Sequence, residues 1–289
     1  MRRGGAIAYW FMAPAVAVLG FVFGYPLVAV VLDSLRVPGL FGVTHTGLDN
    51  FSVLFRDPLF WASLENNLRL FLVIPVMTIV GLLMATLLYE RTKGWRIYRS
   101  LAFVPYILAV PVVGVVFSYI LEKQGALNEV FGSLGLNFLK HDWLGDPSLA
   151  IWSVALVIAW QQTGLAIVLF LARMVGIDES LYEAAMLDGA SWFRRFRHIT
   201  LPQLARVIEF FIAVSCINML SWVFSYIFVM TGGGPVQKTY VMELYIYQNA
   251  FSNGLMNLAS ATSVVMLVVA TLLLSFQAVL RRRVDRIVV

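Results

Sequence analysis

Charge is scarce in this chain of 289 residues: Asp, Glu, Lys and Arg together make up only 13%. A water-soluble domain carries about a quarter of its residues charged, so an ordinary soluble surface is excluded. Cysteine is nearly absent. Cys216 stands alone, which rules out an internal disulfide and a cysteine-ligated zinc or iron–sulfur site, and its place in an apolar run reads as a free buried thiol. The three histidines, His45, His141 and His198, are scattered without metal-ligand spacing. None of the lysines sits in a G-x-x-x-x-G-K-[ST] phosphate loop, so ATP hydrolysis is not encoded here. A membrane hydrolase would gather Asp, Glu, His or Ser near one face, and no such cluster is present. The sequence therefore points to no catalytic residue, no metal site and no cofactor of its own. The lack of a deep acidic residue counts against proton coupling. The lack of an internal repeat counts against an inverted-repeat secondary transporter.

What the chain has in quantity is apolar sequence: 60% of its residues are hydrophobic, and they collect in runs long enough to cross a bilayer as helix. Six spans are predicted, at Ile7–Leu35, Leu68–Tyr89, Ser100–Leu121, Leu149–Val175, Arg206–Met230 and Leu258–Leu280. The first is too long for a secretory signal core and reads as a retained helix. The expected fold is thus an all-α polytopic membrane protein of six transmembrane helices, a single domain over residues 1–289. Pro75, Pro105 and Pro111 each remove a helical hydrogen bond, and read either as packing kinks or as hinges.

The net charge of +5 comes from basic residues between spans rather than on one soluble face, so nucleic acid is not an expected partner. Fifteen of the 21 Lys and Arg fall at the two termini, in the second and fourth connections and at the adjoining helix ends. The positive-inside bias places both termini and those two connections in the cytoplasm.

The connection 176–203 is polar with a helical pattern. Asp178 can cap a helix with an acidic first turn, Ala184 and Ala185 form a small-residue stripe, Gly189 permits a sharp break, and a short second helix follows with Trp192, Phe193 and Phe196 beside Arg194, Arg195 and Arg197. This helix–turn–helix reads from its residues alone as either a docking element for another protein or an amphipathic helix on the headgroups. Within the spans, Gln161, Gln162 and Asn218, with Trp222 and Tyr226 nearby, suit a pathway for a hydroxylated solute; interhelical packing is the other reading.

Glu183-Ala184-Ala185, Asp188-Gly189-Ala190, Phe196, Ile199 and Leu201-Pro202 resemble the EAA loop of ABC importer permeases. Ala13-Pro14, Tyr25-Pro26 and Gly47-Leu48-Asp49-Asn50-Phe51 extend the match. Thr231-Gly232-Gly233-Gly234-Pro235 with Leu244-Tyr245-Ile246-Tyr247 is similar to the sugar-type (maltose and glycerol-3-phosphate uptake) subfamily. The resemblance implies a permease of the prokaryotic inner membrane that imports a sugar-like solute. It implies that Glu183, Ala184, Ala185, Asp188, Gly189, Leu201 and Pro202 form a coupling loop between helices 4 and 5, seated in a groove of a separate ATPase, with Glu183 making the polar contact and Gly189 the turn. The implied partners are a second homologous permease, two ATPase subunits that bind MgATP, and an extracytoplasmic substrate-binding protein facing the loops Val37–Asn67 and Thr231–Asn257. A stand-alone secondary carrier or channel is the alternative.

Overall fold

The computed structural model describes residues 4–38, 44–90 and 95–288. Arg2, Arg3, Arg91 and Lys93, which carry part of the charge bias, lie outside the described residues. In chain order the elements are α1 (Gly4–Leu19), α2 (Tyr25–Leu35), β1 (Arg36–Pro38), β2 (Thr44–Thr46), α3 (Asp49–Arg56), α4 (Pro58–Phe71), α5 (Val73–Tyr89), α6 (Trp95–Ile107), α7 (Val110–Ile120), α8 (Ala126–Ser133), α9 (Ala150–Val175), α10 (Glu179–Leu187), α11 (Trp192–Arg195), α12 (Leu201–Ser221), α13 (Phe224–Met230), α14 (Met242–Tyr247) and α15 (Met256–Val288). Among the described residues, five helices are long and apolar enough to cross a membrane, and a sixth span is completed by the bent pair α6 and α7. The architecture is helical and polytopic, with one short two-stranded ladder added to it.

Two compact units divide the chain. The first comprises residues 1–61 and 245–269. Its first span joins α1 to α2 through a π turn, Gly20–Gly24, whose bond runs from Tyr25 N–H to the Gly20 carbonyl. Pro26 follows at once and has no N–H to offer the turn before it, so the helix widens there instead of breaking. Between Phe11 and Leu32 no side chain of this span is buried within the chain, as suits a helix whose surroundings are lipid or another subunit. Below it β1 and β2 pair antiparallel with Val37 opposite His45. Asn50 pins the helix-to-strand corner, its Nδ2 donating to the Ser34 and Arg36 carbonyls at 2.8 and 2.9 Å. Tyr245 packs edge-on against Phe60 and donates its hydroxyl to Asp57 Oδ2 at 2.6 Å.

The second unit comprises residues 62–244 and 270–289. Its centre is α9, which packs against α5, α6, α12 and α13. The four-residue spacings of Val154 and Ile158, and of Ala166, Phe170 and Met174, put these fully buried side chains along α9, and Phe170 meets Phe211 of α12 edge-on at 5.6 Å. Gly81 of α5 lies so near that a Cβ there would meet the Ala166 methyl at 2.5 Å. Lipid tails are as apolar as the side chains, so such close backbone approach, more than water exclusion, holds membrane helices together.

Three expected boundaries change. The second span begins at Pro58 rather than Leu68 and carries a turn at Leu72, next to Pro75, which supplies no N–H to the preceding turn. The third is broken, its halves α6 and α7 meeting at 105° with Pro105 inside α6 and Pro111 in the first turn of α7. The fifth starts far earlier, at Trp192, runs to Ser221 and then breaks before α13. The spans at Ala150–Val175 and from Met256 stand close to where they are expected.

Candidate functional site

The segment 176–203 folds as its residues dictate. Asp178 caps α10, its carboxylate accepting from Ser180 N–H at 3.0 Å, and that bond holds the carboxyl below the usual aspartate range. At the other end the Ala190 N–H reaches the Ala185 carbonyl at 2.9 Å and the Gly189 N–H reaches Met186 at 3.0 Å. That pair of bonds is the Schellman motif, which requires a left-handed residue between them. Gly189 supplies it with φ +71°.

After the turn the chain does not make the short, separate second helix that the sequence predicts. Instead α11 passes through a π turn, Phe196–Thr200, directly into α12. The Leu201 N–H bonds the Phe196 carbonyl five residues back, and Pro202 follows without an N–H, repeating the arrangement at Tyr25-Pro26. The second arm of the segment is therefore the N-terminal end of the fifth span. Arg173 ties the two sides together, donating through Nε and Nη2 to the Gln203 carbonyl and Oε1 at 3.1 and 2.6 Å.

This local geometry leaves an open platform. Glu183, Ala184, Asp188 and Gly189 are exposed, Ala185 is half-buried, and no residue of α10 is buried within the chain. Leu187 is 89% exposed at the end of the helix. Leu201 and Pro202 are exposed on the second arm. A small-residue surface carrying the Glu183 and Asp188 carboxylates is suited to receiving another protein.

The amide-bearing residues of the spans separate into two environments. Gln161 and Tyr226 are buried, at 2% and 1% exposure, and meet each other. The Tyr226 hydroxyl donates to Gln161 Oε1 at 2.6 Å, and Gln161 Nε2 donates to the Leu108 carbonyl at 2.7 Å. Gln161 thus joins the fourth span to the break in the third and to α13. Gln162 and Asn218 are half-buried, and Trp222 is 63% exposed at the break in the fifth span. The expected pathway residues accordingly split into a buried clamp and an accessible set.

Three polar residues that the span prediction passes over organise the far end of this unit. Asn66 Nδ2 donates to the Lys238 and Tyr240 carbonyls at 3.0 and 2.8 Å. Asn67 Nδ2 donates to the Met219 carbonyl and to Glu243 Oε2 at 2.9 and 3.2 Å, while its Oδ1 accepts from Met242 N–H at 2.8 Å. Glu243 Oε1 is buried without a partner among the described residues. Burial pushes this carboxyl up to about 7, against the opposing pull of the Asn67 bond. The adjacent Asn66-Asn67 pair in front of an apolar run was the available signal. Among the described residues no group of His, Cys, Asp and Glu is arranged to hold a metal.

Residues 77–286 match the family described as the binding-protein-dependent transport system inner membrane component. YurN of Bacillus subtilis (strain 168), a probable ABC transporter permease protein, is 36% identical over 282 residues that cover 95% of either chain. LacF of Rhizobium radiobacter, a lactose transport system permease protein, is 30% identical over 280 residues covering 94% of either chain. A solved structure of a bacterial alginate ABC transporter, in complex with an alginate pentasaccharide-bound periplasmic protein, superposes with a TM-score of 0.84 at 21% identity, covering 96% of this chain and 94% of that one.

Proposed function

The chain belongs to the family of binding-protein-dependent transport system inner membrane components, as a multi-pass, non-catalytic permease subunit of an ABC importer, and from that premise we propose that it carries a sugar or related hydroxylated solute into the cytoplasm. The whole chain, 1–289, acts as one permease domain with both termini cytoplasmic. The segment 176–203 is its coupling loop. Glu183, Ala184, Ala185, Asp188 and Gly189 seat in a separate ATPase that binds MgATP, while Leu201 and Pro202 carry the displacement into the fifth span. A second, similar permease completes the translocation path, two ATPase subunits drive it, and an extracytoplasmic binding protein delivers the solute.

The observation that carries this reading is the exposed platform on α10 ending in the Gly189 turn, fused through a π turn to a span of 30 residues. A push on the platform then passes through the Gly189 turn, held by the bonds from Gly189 and Ala190, into a transmembrane helix. The lactose named for a relative of this length supports the sugar class. Trp222 offers an open ring face for a sugar and Asn218 and Gln162 offer amides, while Gln161 and Tyr226 hold the helices behind them.

The test is purification of the tagged chain from its native membrane in mild detergent, with the co-purifying chains weighed and MgATP hydrolysis assayed. A second permease and an ATPase pair are expected, with the ATPase lost from the Glu183→Lys variant although that chain still inserts. Undiminished ATPase capture by Glu183→Lys would overturn the coupling role, and a lone chain would overturn the assembly.

A further inference from the structure

The inner end of the second span reaches both arms of the segment 176–203 through two adjacent residues. Tyr89 closes on α10, its ring 6.2 Å from that of Tyr182. Glu90 closes on α11, its Oε1 accepting a hydrogen bond from the Trp192 indole N–H. The arms are joined to each other by the Tyr182 and Thr200 hydroxyls at 2.9 Å. Trp192 is also held on one face by Phe196, whose ring stacks on the indole with centroids 5.4 Å apart and planes within 5°. These side chains line an open pocket of about 150 Å³, bounded by Thr86, Tyr89, Glu90, Tyr182, Trp192 and Thr200 among others.

Glu90 is the C-cap of α5, where the helix dipole disfavours a carboxylate. Helix stability therefore gives no reason for an acid at this position, whereas the indole N–H, a donor with no acceptor capacity, does. An indole held at one edge by a carboxylate and on one face by a phenyl ring has a fixed orientation.

We propose that Glu90 is a positioning residue for energy coupling: through Trp192, and with Tyr89 on Tyr182, it locks both arms of the segment to the end of α5. A displacement imposed on the segment then drives the second span, and through the close α5–α9 packing the fourth, together with the fifth. The proposal rests on the reading that this segment docks on the ATPase.

The test uses the transporter purified with its ATPase and placed in lipid nanodiscs. In a Cys216→Ser background, spin labels are attached at Leu83→Cys on α5 and Arg197→Cys in the π turn, both exposed positions, and distances are read with and without MgATP–vanadate. With Glu90 intact, and with Glu90→Gln, which keeps an acceptor oxygen, one narrow distribution unmoved by nucleotide is expected. Glu90→Ala or Trp192→Phe, which keeps the ring and removes the donor, loses that single distance when nucleotide binds. The double variant is no broader than either single one, because both remove the same bond. MgATP hydrolysis stimulated by the binding protein falls toward the basal rate in Glu90→Ala and returns in Glu90→Gln. A wild-type distance that shifts with nucleotide, or a Glu90→Ala variant with an unmoved distance and full stimulation, would overturn the latch. Absence of the ATPase from the wild-type preparation would overturn the docking reading and this proposal with it.

Discussion

The Tyr226 hydroxyl donates to Gln161 Oε1 at 2.6 Å with both side chains almost fully enclosed, and the other end of the same amide donates to the Leu108 carbonyl at 2.7 Å. Leu108 lies in the two-residue gap between α6 and α7. One amide thus satisfies a backbone carbonyl freed by the sharp bend in the third span and a phenol in the fifth, which is how a broken helix is tolerated in a membrane.

This clamp makes a distinction that can be measured. Tyr226→Phe leaves Gln161 Oε1 unpaired and is expected to lower thermal stability in detergent by about 1 kcal/mol, a typical value for such a bond between membrane helices. Gln161→Leu frees both the phenol and the Leu108 carbonyl and is expected to lose about twice that. Neither change should alter which solutes are taken up. Altered solute preference at unchanged stability would place the pair in contact with the solute instead.

At Gly189 the demand is conformational and not steric. Its φ is +71° and nothing lies within 4 Å of where a Cβ would sit. Gly189→Ala is expected to cost about 1–2 kcal/mol of turn stability, the penalty an L side chain meets in the left-handed region. Asn enters that region more readily, so Gly189→Asn should retain more ATPase on the purified chain than Gly189→Ala does. Equal retention by both variants would remove the turn from the coupling argument.

Apolar length made the spans legible, and the fourth and sixth stand nearly where the sequence puts them. The breaks were less so. Pro105 and Pro111 are compatible with a mild kink as well as with the 105° bend that forms, because the angle depends on whether a neighbour such as Gln161 donates to the freed carbonyl. The break at Trp222-Val223 has no proline or glycine to announce it. Asn66 and Asn67 were read as connection because a polar pair lowers local hydropathy whether it faces water or clamps a loop. The helix–turn–helix of 176–203 was legible in Asp178 and Gly189, but its second helix reads in the sequence as a short one separate from the fifth span. In the fold a π turn absorbs Pro202 and the helix continues. Glu90 and Trp192 stand 102 residues apart, and no local pattern joins them.

Glu243 carries the last expectation. Its Oε1 is buried without a partner among the described residues, its Oε2 accepts from the amide of Asn67, and burial raises the carboxyl from 4.5 to about 7. A carboxyl raised in the folded state holds its proton there while the unfolded chain releases it. The stability it contributes is therefore complete below about pH 4.5 and is lost as pH rises through about 7, a difference on the order of 3 kcal/mol by the linkage relation. Glu243→Gln keeps the shape and an acceptor for Asn67 while removing the ionisation. It is expected to melt at higher temperature than the wild type at pH 8, to match it near pH 5, and to flatten the profile between. Melting curves collected across that range in one detergent decide the matter, and parallel profiles for the two proteins would show that Glu243 is ionised and solvated throughout.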